Sequence, residues 1–253
     1  MAVETTSGMG REGDLGLREQ AKAELAWDAR IATRSIRVNV NDGTVELTGR
    51  VHSYLAKWQA ERSVERVRGV RAIANEIQVV PRMVPPDAQL TAAASACLAA
   101  TPQLPIGRIT AVAHQGWLAL EGQVDWDFQR RAVADAVRSV PGLRGVTNAI
   151  TIQPRRIRRT AGAGILRDRL TQALRRDALL GASRITVAVQ SGHVTLTGTV
   201  SAVAEAREAE LVAWAAPGVW SVENRLRVDP IKREGPRLVL VPAIASNDNK
   251  MGR

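Results

Sequence analysis

Thr48-Gly49-Arg50-Val51 returns as Glu121-Gly122-Gln123-Val124 and again as Thr197-Gly198-Thr199-Val200, at offsets of 73 and then 76 residues. The same offsets carry Gly43 to Gly116 and Gly192, Gly69 to Gly142 and Gly218, Asn75 to Asn148 and Asn224, and Leu17 to Leu90 and Leu166. Landmarks sharing one register identify an internal repeat, and a repeat must be recognised before any single element is assigned. The units run from Asp14 to Pro81, Asp87 to Pro154 and Ala163 to Pro230. Short connectors, Arg82 to Pro86 and Arg155 to Gly162, separate them. The segment 1–13 is expected to be a flexible amino terminus and 231–253 a carboxy-terminal tail.

Working outward from the glycine, each unit spells the same elements. Leu17, Ala21 and Leu25 lie four residues apart, as do Leu90, Ala94 and Leu98, and Leu166, Leu170 and Leu174. That spacing lines one face of a helix. Ile36, Val38 and Val40 then alternate with Arg37 and Asn39, the period of a strand buried on one side. Asn41-Asp42-Gly43, His114-Gln115-Gly116 and Gln190-Ser191-Gly192 make hairpin turns into a second alternating strand. A second helix follows, burying Ala60, Val64 and Val67 and stopped by Gly69. The last strand puts Ile73, Asn75, Ile77 and Val79 on one face, parallel to the strand before the helix because a crossover joins them. The fold class is α+β: three tandem αββαβ modules, each with two helices on a small three-stranded mixed sheet.

Two residue types in this pattern need a reason. Gly49, Gly122 and Gly198 fall on an apolar strand face, where close approach of a packed helix is expected. Asn75, Asn148 and Asn224 occupy another apolar face, where an unsatisfied amide costs about 1–3 kcal/mol. A structural clamp from strand to neighbouring backbone is expected.

The pattern Val45-x-Leu47-x-Gly49-x-Val51, then Ala60, Gly69-Val70 and Ile73-x-Asn75-x-Ile77-x-Val79, resembles the BON domain, the module of bacterial osmotic-stress and nodulation proteins. It recurs over almost the whole chain with the glycine-to-asparagine distance of 26 kept each time. The middle copy is the loosest, with Trp117 and Ala119 in its strand. The resemblance implies attachment to phospholipid membranes or envelope components and a part in tolerance of osmotic stress. Many members of that family are periplasmic or outer-membrane proteins. Others carry a LysM-type module and bind potassium in the cytoplasm, and no LysM-like segment is evident in this sequence.

The chain has 253 residues and a formal charge of +10. Lysines and arginines less acids give the three modules +2, 0 and +1, so the excess falls on connectors and tails. Arg155, Arg156, Arg158 and Arg159 form the densest cluster. Each contributes on the order of 1 kcal/mol near an anionic bilayer, about 4 kcal/mol together, which is roughly millimolar affinity. A second contact is therefore required, and Trp126 and Phe128 at the start of the middle module's second helix offer an aromatic pair for a lipid interface.

Catalysis finds no framework. His52, His114 and His193 occupy non-equivalent repeat positions near turns, and Gly162-Ala163-Gly164 has an arginine-rich connector before it instead of a strand. Glu46 becomes Ala119 and Thr195, so no acid pair recurs. Cys97 alone excludes an internal disulfide and a cysteine zinc site, and it is expected in the core. No metal and no cofactor are expected.

The strand faces lack the aromatic platform of a single-strand nucleic-acid binder, which argues against nucleic acid as a partner. No apolar run approaches the ~20 residues of a membrane span, and the start shows no secretory signal. The expected placement is cytoplasmic, peripheral at the inner membrane, with the periplasm as the alternative. The expected role is a non-enzymatic protein docking on an anionic phospholipid surface or an envelope protein in osmotic or general stress. The alternative is a cytoplasmic scaffold or monovalent-cation-responsive sensor acting through protein partners. The sequence does not determine the oligomeric state.

Overall fold

The computed structural model describes residues 5–29, 31, 33–102, 104–105, 107–153, 162–177, 180 and 184–229. The first module consists of α1 (Thr5–Trp27), β1 (Ile36–Asn41), β2 (Thr44–Val51), α2 (Tyr54–Glu65), β3 (Ala72–Asn75) and β4 (Gln78–Val79). The second consists of α3 (Asp87–Ala99), β5 (Ile109–His114), β6 (Trp117–Val124), α4 (Asp127–Val137), β7 (Gly145–Asn148) and β8 (Thr151–Ile152). The third consists of α5 (Ala163–Arg176), β9 (Arg184–Gln190), β10 (His193–Val200), α6 (Val203–Trp214) and β11 (Ser221–Val228).

In every module the middle strand of the sheet is the second in sequence. It pairs antiparallel with the first and parallel with the last: Val38 faces Leu47 and Leu47 faces Asn75 in the first module. Leu196 likewise faces Val187 and Asn224 in the third. The parallel pairing follows from the intervening crossover helix.

The hairpin turns need two residues at positive φ, which matches the right-handed twist of the strands they join. Asp42 and Gly43 adopt φ of 47° and 71°, with Gln115-Gly116 and Ser191-Gly192 alike. Three separate cores result, one per module, each built from the first helix's leucines, the middle strand and the second helix. Leu47, Leu120 and Leu196 are fully buried at equivalent places, each worth about 1.5–3 kcal/mol in transfer from water.

Three expectations change. Helix α1 reaches back to Thr5, into the segment set apart as flexible, because helix propagation adds a bond per residue and no proline interrupts it. The last strand is continuous only in the third module and divides in the other two. At the break Ile77 and Ile150 turn into the core, where the third module has the only partly buried Leu226.

The glycines in the middle strands serve a backbone, not a helix. A Cβ on Gly49 would lie 2.0 Å from the carbonyl oxygen of Ser35, and on Gly198 1.9 Å from that of Arg184. Their φ values of +127° exclude an L side chain as well. The glycine lets the carbonyl at the entry to the neighbouring strand close over the middle strand.

Candidate docking surface

Among the described residues no group of three His, Cys, Asp or Glu side chains is placed to hold a metal ion. The histidines belong to different modules, and His52 Nδ1 lies 3.0 Å from the Val80 carbonyl. Cys97 is half-buried against the second core. No helix among the described residues is long and apolar enough to cross a membrane.

The repeated asparagines turn toward the second helix of their module. Asn75 Nδ2 donates to the Lys57 carbonyl at 3.2 Å, Asn148 Nδ2 to Arg130 O at 3.1 Å and Asn224 Nδ2 to Ala206 O at 2.9 Å. Their Oδ1 atoms accept from the backbone two residues on, at Ile77, Ile150 and Leu226. Each amide therefore ties the last strand to the first turn of the second helix.

A second clamp holds the hairpin turns. Asp14 accepts from the amides of Asp42 and Gly43, and Asp87 from those of Gln115 and Gly116 at 2.7 and 3.0 Å. These two amides hold the Asp87 carboxyl below the usual aspartate range. Position 163, the third equivalent, is alanine. There Trp220 Nε1 donates to Ser191 O at 2.7 Å and its ring lies against His193.

Of the surface residues expected to make contact, Trp126 and Phe128 are about half exposed, at 44% and 47%. Asp127 between them is buried and paired with Arg130 and Arg131. The acid takes the inward position, which leaves both aromatic rings at the surface. Arg155, Arg156, Arg158 and Arg159 lie outside the described residues.

A basic face that the charge count missed lies on α5. It carries Arg167, Arg169, Arg175 and Arg176 against Asp168 alone. Arg167 pairs with its neighbour Asp168 at 3.2 Å. Arg169, Arg175 and Arg176 are exposed and form no ion pair among the described residues. In α1, by contrast, Arg18 and Lys22 both pair with Glu19.

Two grooves flank α5. One, of about 300 Å³, runs between Leu174, Arg175, Leu180 and Arg184. The other, of about 520 Å³, runs between Arg169, Leu170, Ala173, Arg176 and Val212. The second has a simple origin: Glu24 and Arg66 bridge the first module's helices at 2.9 Å, and the third module has Ala173 and Ala215 there. Counting by module hid the basic face because Glu205, Glu208 and Glu210 of α6 offset it. Counting by helix finds it.

Residues 13–81, 86–154 and 163–230 match the family described as BON domain. Osmotically-inducible protein Y of Escherichia coli (strain K12) is 32% identical over 69 residues, which is 27% of this chain. The match spans 34% of that relative's length. Among solved structures, CdsD, a structural protein of the type III secretion system of Chlamydia trachomatis, is 15% identical. It covers 86% of this chain and 94% of its own, with a TM-score of 0.24. The PrgH periplasmic domain is 13% identical over 77% of this chain and 95% of its own, with a TM-score of 0.20.

Proposed function

The chain belongs to the BON domain family, and on that premise we propose that it is a non-catalytic binding protein that docks on anionic phospholipid surfaces under osmotic stress. The observation that carries the reading is the α5 face, where Arg169, Arg175 and Arg176 stand exposed, form no ion pair among the described residues, and border two grooves, one of them lined also by Leu170, Ala173 and Val212. The connector's Arg155, Arg156, Arg158 and Arg159 immediately precede that helix in sequence. The similarity to an osmotically inducible protein supports the stress role.

Magnitudes favour the two basic segments acting together. At about 1 kcal/mol each, the connector's four arginines reach only roughly millimolar affinity, whereas seven give about 7 kcal/mol, on the order of 10 μM. Trp126 and Phe128, half exposed on the neighbouring module, add apolar contact if they reach the same interface. An envelope protein with an acidic face is the other partner such a surface fits.

Co-sedimentation with anionic and with neutral vesicles across a salt series tests the reading. Salt-sensitive binding to anionic vesicles, lost when Arg155, Arg156, Arg158 and Arg159 are changed to serine, is expected. Absence of binding to anionic vesicles at low salt overturns it.

A further inference from the structure

Trp58, Arg131 and Arg207 occupy one repeat position, and Glu65, Arg138 and Trp214 occupy another seven residues later. Seven residues are close to two helical turns, so both positions lie on one side of the second helix. The residue types look unrelated when the repeats are aligned. They become related when read across modules.

The Arg138 guanidinium lies 3.7 Å from the Trp58 ring centroid, joining the early position of the first module to the late position of the second. The guanidinium of Arg130, next to Arg131, lies 5.2 Å from the Trp214 ring, joining the second module to the third in the same sense. Arg207 Nη1 lies 3.2 Å from Glu65 Oε1, joining the third module back to the first. The cycle closes.

A second set of contacts keeps that order. Tyr54 packs against the second core, and Val203, its equivalent in the third module, packs against the first. Gly69 N donates to Ser201 O at 3.3 Å at the closing junction. At the closing junction charge selects the neighbour. Pairing the third module's early position with the second module's late one would set Arg207 against Arg138, two cations.

An interface that joins one face of a unit to a different face of the next closes a ring when the rotation allows it and otherwise propagates between molecules. Tethering favours closure within one chain, because the linked module is present at an effective concentration near millimolar. Once the closing contact is broken, the same faces are free for another chain.

We propose that the second-helix face is a head-to-tail self-recognition surface, used three times in the chain to close a ring, and that a second copy of the chain occupies it when the Glu65–Arg207 junction opens. Glu65 is the element that limits closure. Its side chain is 11% exposed and shared by Arg62 and Arg207, so a carboxylate placed opposite it meets a charge that solvent screens only in part.

The test uses two single variants of the full chain, Arg207→Glu and Glu65→Arg, with far-ultraviolet circular dichroism to establish that both fold. Light scattering after size exclusion, over a hundredfold range of concentration, reads the mass. The unsubstituted chain and each variant alone are expected to stay at one chain's mass, because a second copy of either variant meets the same like charges that keep its own ring open. An equimolar mixture of the two is expected to rise with concentration to twice that mass, because each chain's altered junction then meets its complement on the other chain. A mixture of folded variants that stays at one chain's mass at every concentration overturns the proposal. A single variant that associates alone as strongly as the mixture also overturns it.

Discussion

Asn75 Nδ2 donates to the carbonyl of Lys57 at 3.2 Å and to Glu61 Oε2 at 3.0 Å, so one amide fastens β3 to two consecutive turns of α2. Asn75→Ala leaves those acceptors and the Ile77 amide without their partner, which costs about 1–3 kcal/mol. Asn75→Asp is expected to cost more at neutral pH, because the new carboxylate meets Glu61 and a carbonyl, acceptors with no donor between them. Urea denaturation followed by circular dichroism checks the order. Hydrogen exchange should place the loss in α2 and β3, and the gap between the two variants should narrow at pH values low enough to protonate both carboxyls.

Two glycines of the same chain should respond in opposite directions to the same substitution. Gly198→Ala puts a methyl 1.9 Å from the Arg184 carbonyl oxygen at a φ of +127°, and both partners are backbone, so neither moves aside. A loss on the order of 3 kcal/mol is expected. Gly16→Ala, inside α1 with open space around its Cβ, should gain about 0.5–1 kcal/mol from helix propensity. Thermal unfolding of the two variants separates these outcomes, and equal destabilisation would mean that the strand glycine is not conformationally required.

The modules were legible in the sequence because glycine, asparagine and strand periodicity are read locally. Gly49 on an apolar face signals close approach, but periodicity names the face and not the atom that approaches. The Ser35 carbonyl enters from the strand-pairing register, which no alternation encodes. The Asn75 clamp was easier to read, since a polar side chain on that face had to be satisfied by nearby backbone. The α5 arginines were in plain view and were averaged away against the glutamates of α6. The Trp58–Arg138 and Arg207–Glu65 contacts were beyond sequence reading for a different reason. Equivalent positions hold unlike residues, and their complementarity exists only after the modules meet in a cyclic order.

Asp87 makes the second module's hairpin sensitive to acid. Two backbone amides hold its carboxyl below the ordinary aspartate value, so the folded state binds its proton less tightly than the unfolded state does. The stabilisation is present above the unfolded value of about 3.9 and disappears as pH falls through the lower folded value. Asp87→Asn should flatten this part of the acid limb while leaving the neutral-pH fold in place. Measuring unfolding midpoints from pH 7 to 2 for both proteins checks it, and parallel curves would show that the Gln115 and Gly116 amides do not favour the charged carboxyl.

The α5 face makes the lipid reading quantitative. Arg169, Arg175 and Arg176 form no ion pair among the described residues, so replacing them with serine breaks no ion pair there and is expected to cost about 1–2 kcal/mol of stability, from helix propensity and from the cations lost in the last turn of α5. Near an anionic bilayer each contributes about 1 kcal/mol, so the triple variant should bind anionic vesicles on the order of 100-fold more weakly. The salt dependence should also become shallower, because fewer counterions leave the surface when fewer cations arrive. Arg18 and Lys22 of α1 supply the contrast, since both already pair with Glu19 and their replacement by serine should change vesicle binding much less. If the substitutions in both helices responded equally, net charge and not the α5 face would govern the association.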